Sequence, residues 1–101
     1  MMMTGSMCRA ARALVEISRQ RLAAASQIAE PDIEAFERKI SIPNDAAVSA
    51  LQAALEHYGA VFIPEDGGNG AGVRLKFSRS VTRRLSTLEG EGGPAASDDV
   101  P

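Results

Sequence analysis

The residues of this 101-residue chain that could do catalytic or metal chemistry are few and far apart. His57 is the only histidine and Cys8 is the only cysteine. Protein metal sites are built from several His, Cys, Asp or Glu ligands, so this pair predicts neither a metal ion nor a Cys–His nucleophile. A single cysteine also excludes an intrachain disulfide.

A glycine-rich segment at residues 67–72 is similar in composition to a phosphate-binding loop. It lacks the Lys-Ser/Thr ending and the following helix that such loops need, and a flexible connection between strands explains it better. Glu65 and Asp66 precede it as adjacent carboxylates, but a mobile loop without a pocket offers them no enclosed environment for acid–base work. We therefore predict that the protein is not an enzyme and uses no cofactor.

Composition predicts one small domain whose stability is increased by dimerisation. There is no tryptophan, one tyrosine and three phenylalanines, so the core must come mainly from Leu, Ile and Val. The net charge of −2 counts against strong binding to nucleic acid, which a basic excess would favour. No apolar run is long enough to span a membrane and the start has no signal-peptide pattern, so we expect a cytoplasmic protein without membrane contact.

Apolar periodicity and capping residues predict four helices. The first begins at Ser6 as its cap, and its buried stripe is expected to be Ala10, Ala13, Leu14 and Ile17. Ser18 caps a second helix, which ends at a turn that lacks the usual glycine. The third has Pro31 in its first turn and Ile33, Phe36 and Ile40 on its core face. A fourth opens at Asn44 or Asp45, buries Val48, Leu51, Ala54 and Leu55, and stops at Gly59.

The periodicity then changes to that of strands, at residues 60–64 and 72–77. The two strands form either a hairpin or a pair across a dimer. A lone two-stranded sheet is only marginally stable in water, so the strands need a partner surface to pack against. Edge strands that expose apolar side chains favour association with a second copy. The predicted dimerisation residues are Val61, Phe62, Ile63, Val73 and Leu75.

Several of these segments match known proteins in order and spacing. Residues 8–14, 17–23, 33–37, 54–63 and 72–76 resemble the phage repressor/Cro-like (XRE-type) helix-turn-helix family, as a small bacterial member with a C-terminal strand pair. The resemblance covers roughly residues 4–77. It implies a mainly α, four-helix repressor-like domain followed by a short β-hairpin or dimer-paired strands, and an ion pair between Arg12 and Glu37.

The resemblance also implies a DNA-binding surface on the second and third helices. Its residues would be Ser18, Arg19, Gln27, Glu30, Asp32, Glu34, Arg38 and Lys39. Arg19 stands where the family has a glutamine that bonds a phosphate, and acids stand where it has Arg, Gln, Ser, Thr or Asn. One acid could accept a bond from cytosine N4, but three face repulsion from the phosphates. The acids could instead stabilise the helix N-terminus or form a face that binds protein.

We accordingly expect a disordered N-terminus at 1–5, a helix-turn-helix domain at 6–59, a strand pair for dimerisation at 60–77 and a flexible tail at 78–101. The expected function is a DNA-binding transcriptional regulator that places two copies of its third helix in major grooves of double-stranded DNA as a homodimer. The alternative is a protein-interaction module on the same fold, which binds little DNA and modulates another regulator through its acidic helix.

Overall fold

The computed structural model describes residues 2–77 of the chain. Its elements are α1 (Gly5–Val15), α2 (Arg19–Ser26), α3 (Glu30–Glu37), α4 (Asp45–His57), β1 (Ala60–Ile63) and β2 (Gly72–Leu75). The prediction of a mainly α fold with four helices followed by two strands is confirmed. The predicted tail at 78–101 lies outside the described residues.

Helix α1 begins earlier, and buries another face, than the sequence predicted. Thr4 caps it by accepting a hydrogen bond from the backbone N–H of Met7 at 3.1 Å, and Met3 is buried. Residues 3–5 therefore belong to the folded unit and not to a disordered N-terminus. The buried positions are Gly5, Cys8, Ala11 and Val15, whereas the predicted Ala10 and Ala13 are exposed.

Small residues on this face let α1 approach α3 closely. A Cβ atom on Gly5 would collide with the backbone carbonyl of Phe36. The residues next along the buried face, Cys8 and Ala11, have no exposed surface. Alanine occurs on both sides of α1, so apolar periodicity alone does not distinguish the stripe that packs from the one that faces water.

Helices α2 and α3 are joined by a turn of three residues, 27–29. Ser18 caps α2 as predicted, accepting from the N–H of Arg21 at 3.0 Å. Gln27 ends α2 in the left-handed conformation with φ of 64°, although it is not glycine. Ala29 gives α3 no side-chain cap, and Pro31 lies in the first turn, where its missing N–H costs nothing.

Helix α3 ends where the chain turns toward α4. Lys39 takes a left-handed φ of 63°, and the N–H of Ile40 donates to the carbonyl of Ala35 at 2.8 Å. This turn removes Ile40 from the helical stripe, so its side chain is 67% exposed and the prediction that it is buried is wrong. Asn44, one of the two predicted caps, accepts from the N–H of Ala47 at 2.8 Å and begins α4.

The strands pair with each other within the chain, so the hairpin is the arrangement observed. They are antiparallel, with Phe62 opposite Val73 and Val61 opposite Arg74. The hairpin packs against α1 and α4. The core that holds these elements together is formed by Met3, Cys8, Ala11, Val15, Ile17, Leu22, Ile33, Phe36, Val48, Leu51, Ala54, Leu55, Tyr58 and Ala60.

Candidate nucleic-acid interface

The surface formed by the start of α2 and the outer side of α3 contains the predicted DNA-binding residues. Helix α3 is anchored through Ile33 and Phe36, which are buried. Its first three residues, at 30–32, are exposed, while Glu34 and Ala35 are half-buried. Anchoring on one side leaves the other side of α3 exposed to solvent.

The acids on this surface are in solvent. Glu30 and Asp32 are exposed and lie in the first turn of α3, where carboxylates interact favourably with the helix dipole. Glu34 is one turn further and accepts a hydrogen bond from Arg38 Nη1 at 3.3 Å. Both side chains of that pair are well exposed, so it adds only about 0.3–0.5 kcal/mol to stability.

Gln27 and Asp32 line a surface cleft of about 400 Å³ between the α2–α3 turn and the start of α4. Ser41 and Asn44 contribute further polar groups to its wall. The Nε2 atom of Gln27 donates to the carbonyl of Ala24 at 3.0 Å, which holds its side chain against α2. The cleft is open to solvent, and its wall mixes these polar groups with the apolar side chains of Ile28, Ala29, Pro43 and Ala47.

A buried carboxylate lies directly beneath this surface. Glu37 ends α3, and its side chain has no exposed surface. Arg12 of α1 donates two hydrogen bonds of 2.9 Å to this carboxylate, from Nε to Oε2 and from Nη2 to Oε1. Arg19 of α2 adds a third, from Nε to Oε1 at 3.0 Å. The ion pair implied by the resemblance is therefore present, and a second arginine joins it.

The thiol of Cys8 completes this Glu37 cluster, which consists of Cys8, Arg12, Arg19 and Glu37. Its Sγ lies 3.5 Å from Oε2 and donates to it. Burial, aided by the adjacent carboxylate, raises the pKa of Cys8 to about 12, so the thiol stays protonated. Burial alone would raise the pKa of Glu37, but hydrogen bonds from Arg12 and Arg19 outweigh it and hold that pKa below its ordinary value.

Sequence reasoning assigned Arg19 to a phosphate and missed its bond to Glu37. A usable signal was present in α3, because Glu37 falls on the buried stripe with Ile33 and Phe36. A carboxylate on a core stripe needs cationic partners to offset its desolvation. Arg12 and Arg19, on either side of the α1–α2 turn, are within reach of it in the folded chain.

The predicted dimerisation residues divide between the two faces of the hairpin. Phe62, Val73 and Leu75 are partly buried and pack against the core. Side chains alternate along a strand, so Val61 and Ile63 lie on the opposite, outer face. Ile63 is 40% exposed. The outer face therefore carries the exposed apolar side chain of the hairpin that a second copy could cover.

The other groups considered in the sequence are potential metal ligands and the adjacent acids Glu65 and Asp66. No group of three potential metal ligands occurs within residues 2–77. Glu65 and Asp66 are exposed, and Asp66 pairs with Asn69 in the hairpin turn. None of the helices described is long and apolar enough to cross a membrane. Neither a protein-family model nor a curated protein matches this chain significantly.

Proposed function

We propose that the protein binds double-stranded DNA as a helix-turn-helix transcriptional regulator in the cytoplasm. The observation that carries this proposal is the pair α2 and α3, joined by a three-residue turn and anchored so that the outer side of α3 stays exposed. This is the arrangement by which a second helix enters a major groove. The resemblance to repressor/Cro-like proteins supports the same function.

In this proposal, α3 lies in the major groove and the start of α2 meets the backbone. Arg19, Arg38 and Lys39 are the cations at this surface and contact phosphates. Ser18 uses its oxygen lone pair as the cap of α2 and keeps its hydroxyl proton to donate to a phosphate. Gln27 and the acids of α3 then face the base edges, where carboxylates accept from cytosine N4.

The proposed regulator acts as a homodimer through the outer face of its hairpin. Two copies would place two α3 helices in successive major grooves. Each strand has an unpaired edge, and Ile63 is an exposed apolar residue beside one of them. Such edges are prone to pair with another chain.

A second candidate is a protein-interaction module with a basic partner. It is favoured by the charge of the surface, where three carboxylates (Glu30, Asp32 and Glu34) balance the three cations. Two of those cations, Arg19 and Arg38, also have carboxylate partners within the chain. The two candidates differ in DNA affinity, since the protein-interaction module binds little DNA.

Titration of the protein into a duplex of about 20 base pairs, labelled for fluorescence anisotropy, tests the proposed function. A dimer that neutralises six phosphates should lose roughly a thousandfold in affinity between about 50 and 200 mM salt, because counterions are released on binding. Absence of binding at the lower salt would exclude the DNA-binding proposal and favour the protein-interaction module.

The same titration measures what the acids of α3 do. Changing Glu30, Asp32 and Glu34 together to their amides should raise affinity for a mixed-sequence duplex by about tenfold or more, since repulsion from phosphates is removed. An unchanged affinity would show that these carboxylates do not approach the DNA. The three side chains are exposed or half-buried, so the fold is expected to tolerate the change.

A further inference from the structure

The Glu37 cluster has one more cation than its carboxylate requires. Arg12 alone forms a bidentate pair with Glu37, and its Nη1 also donates to the carbonyl of Ile17 at 3.3 Å. That pair neutralises the carboxylate and joins α1 to α3. The further bond from Arg19 gives the cluster a net positive charge at the edge of the proposed DNA-binding surface.

Arg19 uses only its Nε for the bond to Glu37. Within residues 2–77, its two Nη groups donate to no hydrogen-bond acceptor, and the side chain is 32% exposed. A guanidinium is planar, so fixing its Nε fixes the directions of its other donors as well. Glu37 thus holds an otherwise flexible side chain in one orientation, with its remaining donors available at the surface.

We propose that Glu37 is a positioning residue that orients the guanidinium of Arg19 for contact with a DNA phosphate. This inference rests on the proposed function and adds a role for a carboxylate that does not itself touch DNA. Its partner chemistry is the phosphodiester oxygen, which two parallel guanidinium N–H groups match well. The ordering of Arg19 takes place during folding, so less freedom is lost when DNA binds.

The sign of the effect separates positioning from simple electrostatics. Glu37 is negative, so replacing it with neutral glutamine should strengthen DNA binding if only net charge matters. If Glu37 positions Arg19, the same replacement weakens binding, because one neutral amide oxygen, shared with Arg12, holds the guanidinium less firmly than a carboxylate with two charged oxygens. Arg19→Lys keeps the charge but replaces the planar guanidinium by an ammonium group, which has no Nε–H and no pair of parallel N–H donors. This change should also weaken DNA binding.

The experiment compares Glu37→Gln, Arg19→Lys and the matched control Arg21→Lys in the duplex titration at about 100 mM salt. Arg21 lies on the same helix and makes no ion pair among the described residues, so its replacement should leave affinity within about twofold. Arg19→Lys and Glu37→Gln should each lose about fivefold or more, as expected for one charge-assisted contact. Circular dichroism checks that each variant is folded.

Arg19→Lys keeps the bidentate Arg12–Glu37 pair, so it remains informative if Glu37→Gln unfolds. Wild-type affinity in Arg19→Lys, or tighter binding in folded Glu37→Gln, overturns the positioning role while the proposed function stands. Failure of the wild-type protein to bind the duplex at low salt overturns both. A loss in Arg21→Lys as large as that in Arg19→Lys also contradicts the positioning role.

Discussion

Replacing Glu37 by alanine is expected to lower the free energy of unfolding by about 3 kcal/mol. The change leaves Arg12 and Arg19 without their carboxylate at the junction of α1, α2 and α3. Removing one partner of a buried ion pair costs roughly 3–5 kcal/mol, and the lower end applies because both guanidiniums are partly exposed, 19% and 32%. Urea denaturation followed by circular dichroism measures the loss.

Glu34→Ala is the matched control for this variant. It removes the same side chain from the same helix, but its ion pair with Arg38 is exposed. The expected cost is about 0.5 kcal/mol or less. Similar losses in the two variants would mean that the Glu37 cluster contributes no more to stability than a surface pair.

The stability that Glu37 provides should also depend on pH. The pKa of Glu37 in the folded chain lies below its ordinary value of 4.5, since burial, which raises it, is outweighed by the two arginines. A group with a lowered folded pKa contributes stability that is present above its unfolded pKa and is lost as pH falls through the folded value. Wild-type protein should therefore lose stability below about pH 4.5, and Glu37→Gln should lack that component.

Substitutions at two neighbouring positions in β1 should affect different properties, one the association of two copies and the other the stability of the monomer. Ile63→Lys places a charge on the outer face of the hairpin, and it should convert a dimer to a monomer in sedimentation equilibrium with little change in monomer stability. Phe62→Ala removes a ring that packs against the core. It should lower the free energy of unfolding by about 2 kcal/mol, less than for a fully buried ring.

The contrast follows from the register of the strands, which sets Phe62 opposite Val73 and Ile63 opposite Gly72. Successive side chains along a strand face opposite sides of the sheet. The interface proposal is contradicted if wild-type protein sediments as a monomer at high concentration, or if Ile63→Lys remains dimeric. Loss of dimer in Phe62→Ala alone would move the interface to the inner face.

Much of the fold could be predicted because its signals are local. Ser18 caps α2, Pro31 lies in the first turn of α3, and the buried stripe of α4 is formed by Val48, Leu51, Ala54 and Leu55. Each of these residues is within a few positions of the feature it determines. Alternation predicted the two strands in the same way. These elements confirm the fold class, whereas DNA binding and dimerisation stay predictions.

The remaining features depend on contacts between distant parts of the chain. The choice of Cys8 and Ala11 over Ala10 and Ala13 as the buried face of α1 is made by its packing against β2, α4 and α3. The bond between Arg19 and Glu37 joins residues 18 positions apart. The place of Glu37 on the buried stripe of α3 indicates that it needs cationic partners, but no pattern within one helix identifies Arg19 as a partner or selects the buried face of α1.

The most direct test of the proposed function is a map of backbone amide shifts in ¹⁵N–¹H spectra of the wild-type protein with and without the duplex. We predict the largest shifts at residues 18–20 and 27–35, which form the start of α2, the turn and the outer side of α3. Amides of β1 and β2 should move little. Absence of shifts at low salt, or shifts concentrated on the hairpin, would contradict DNA binding through this surface.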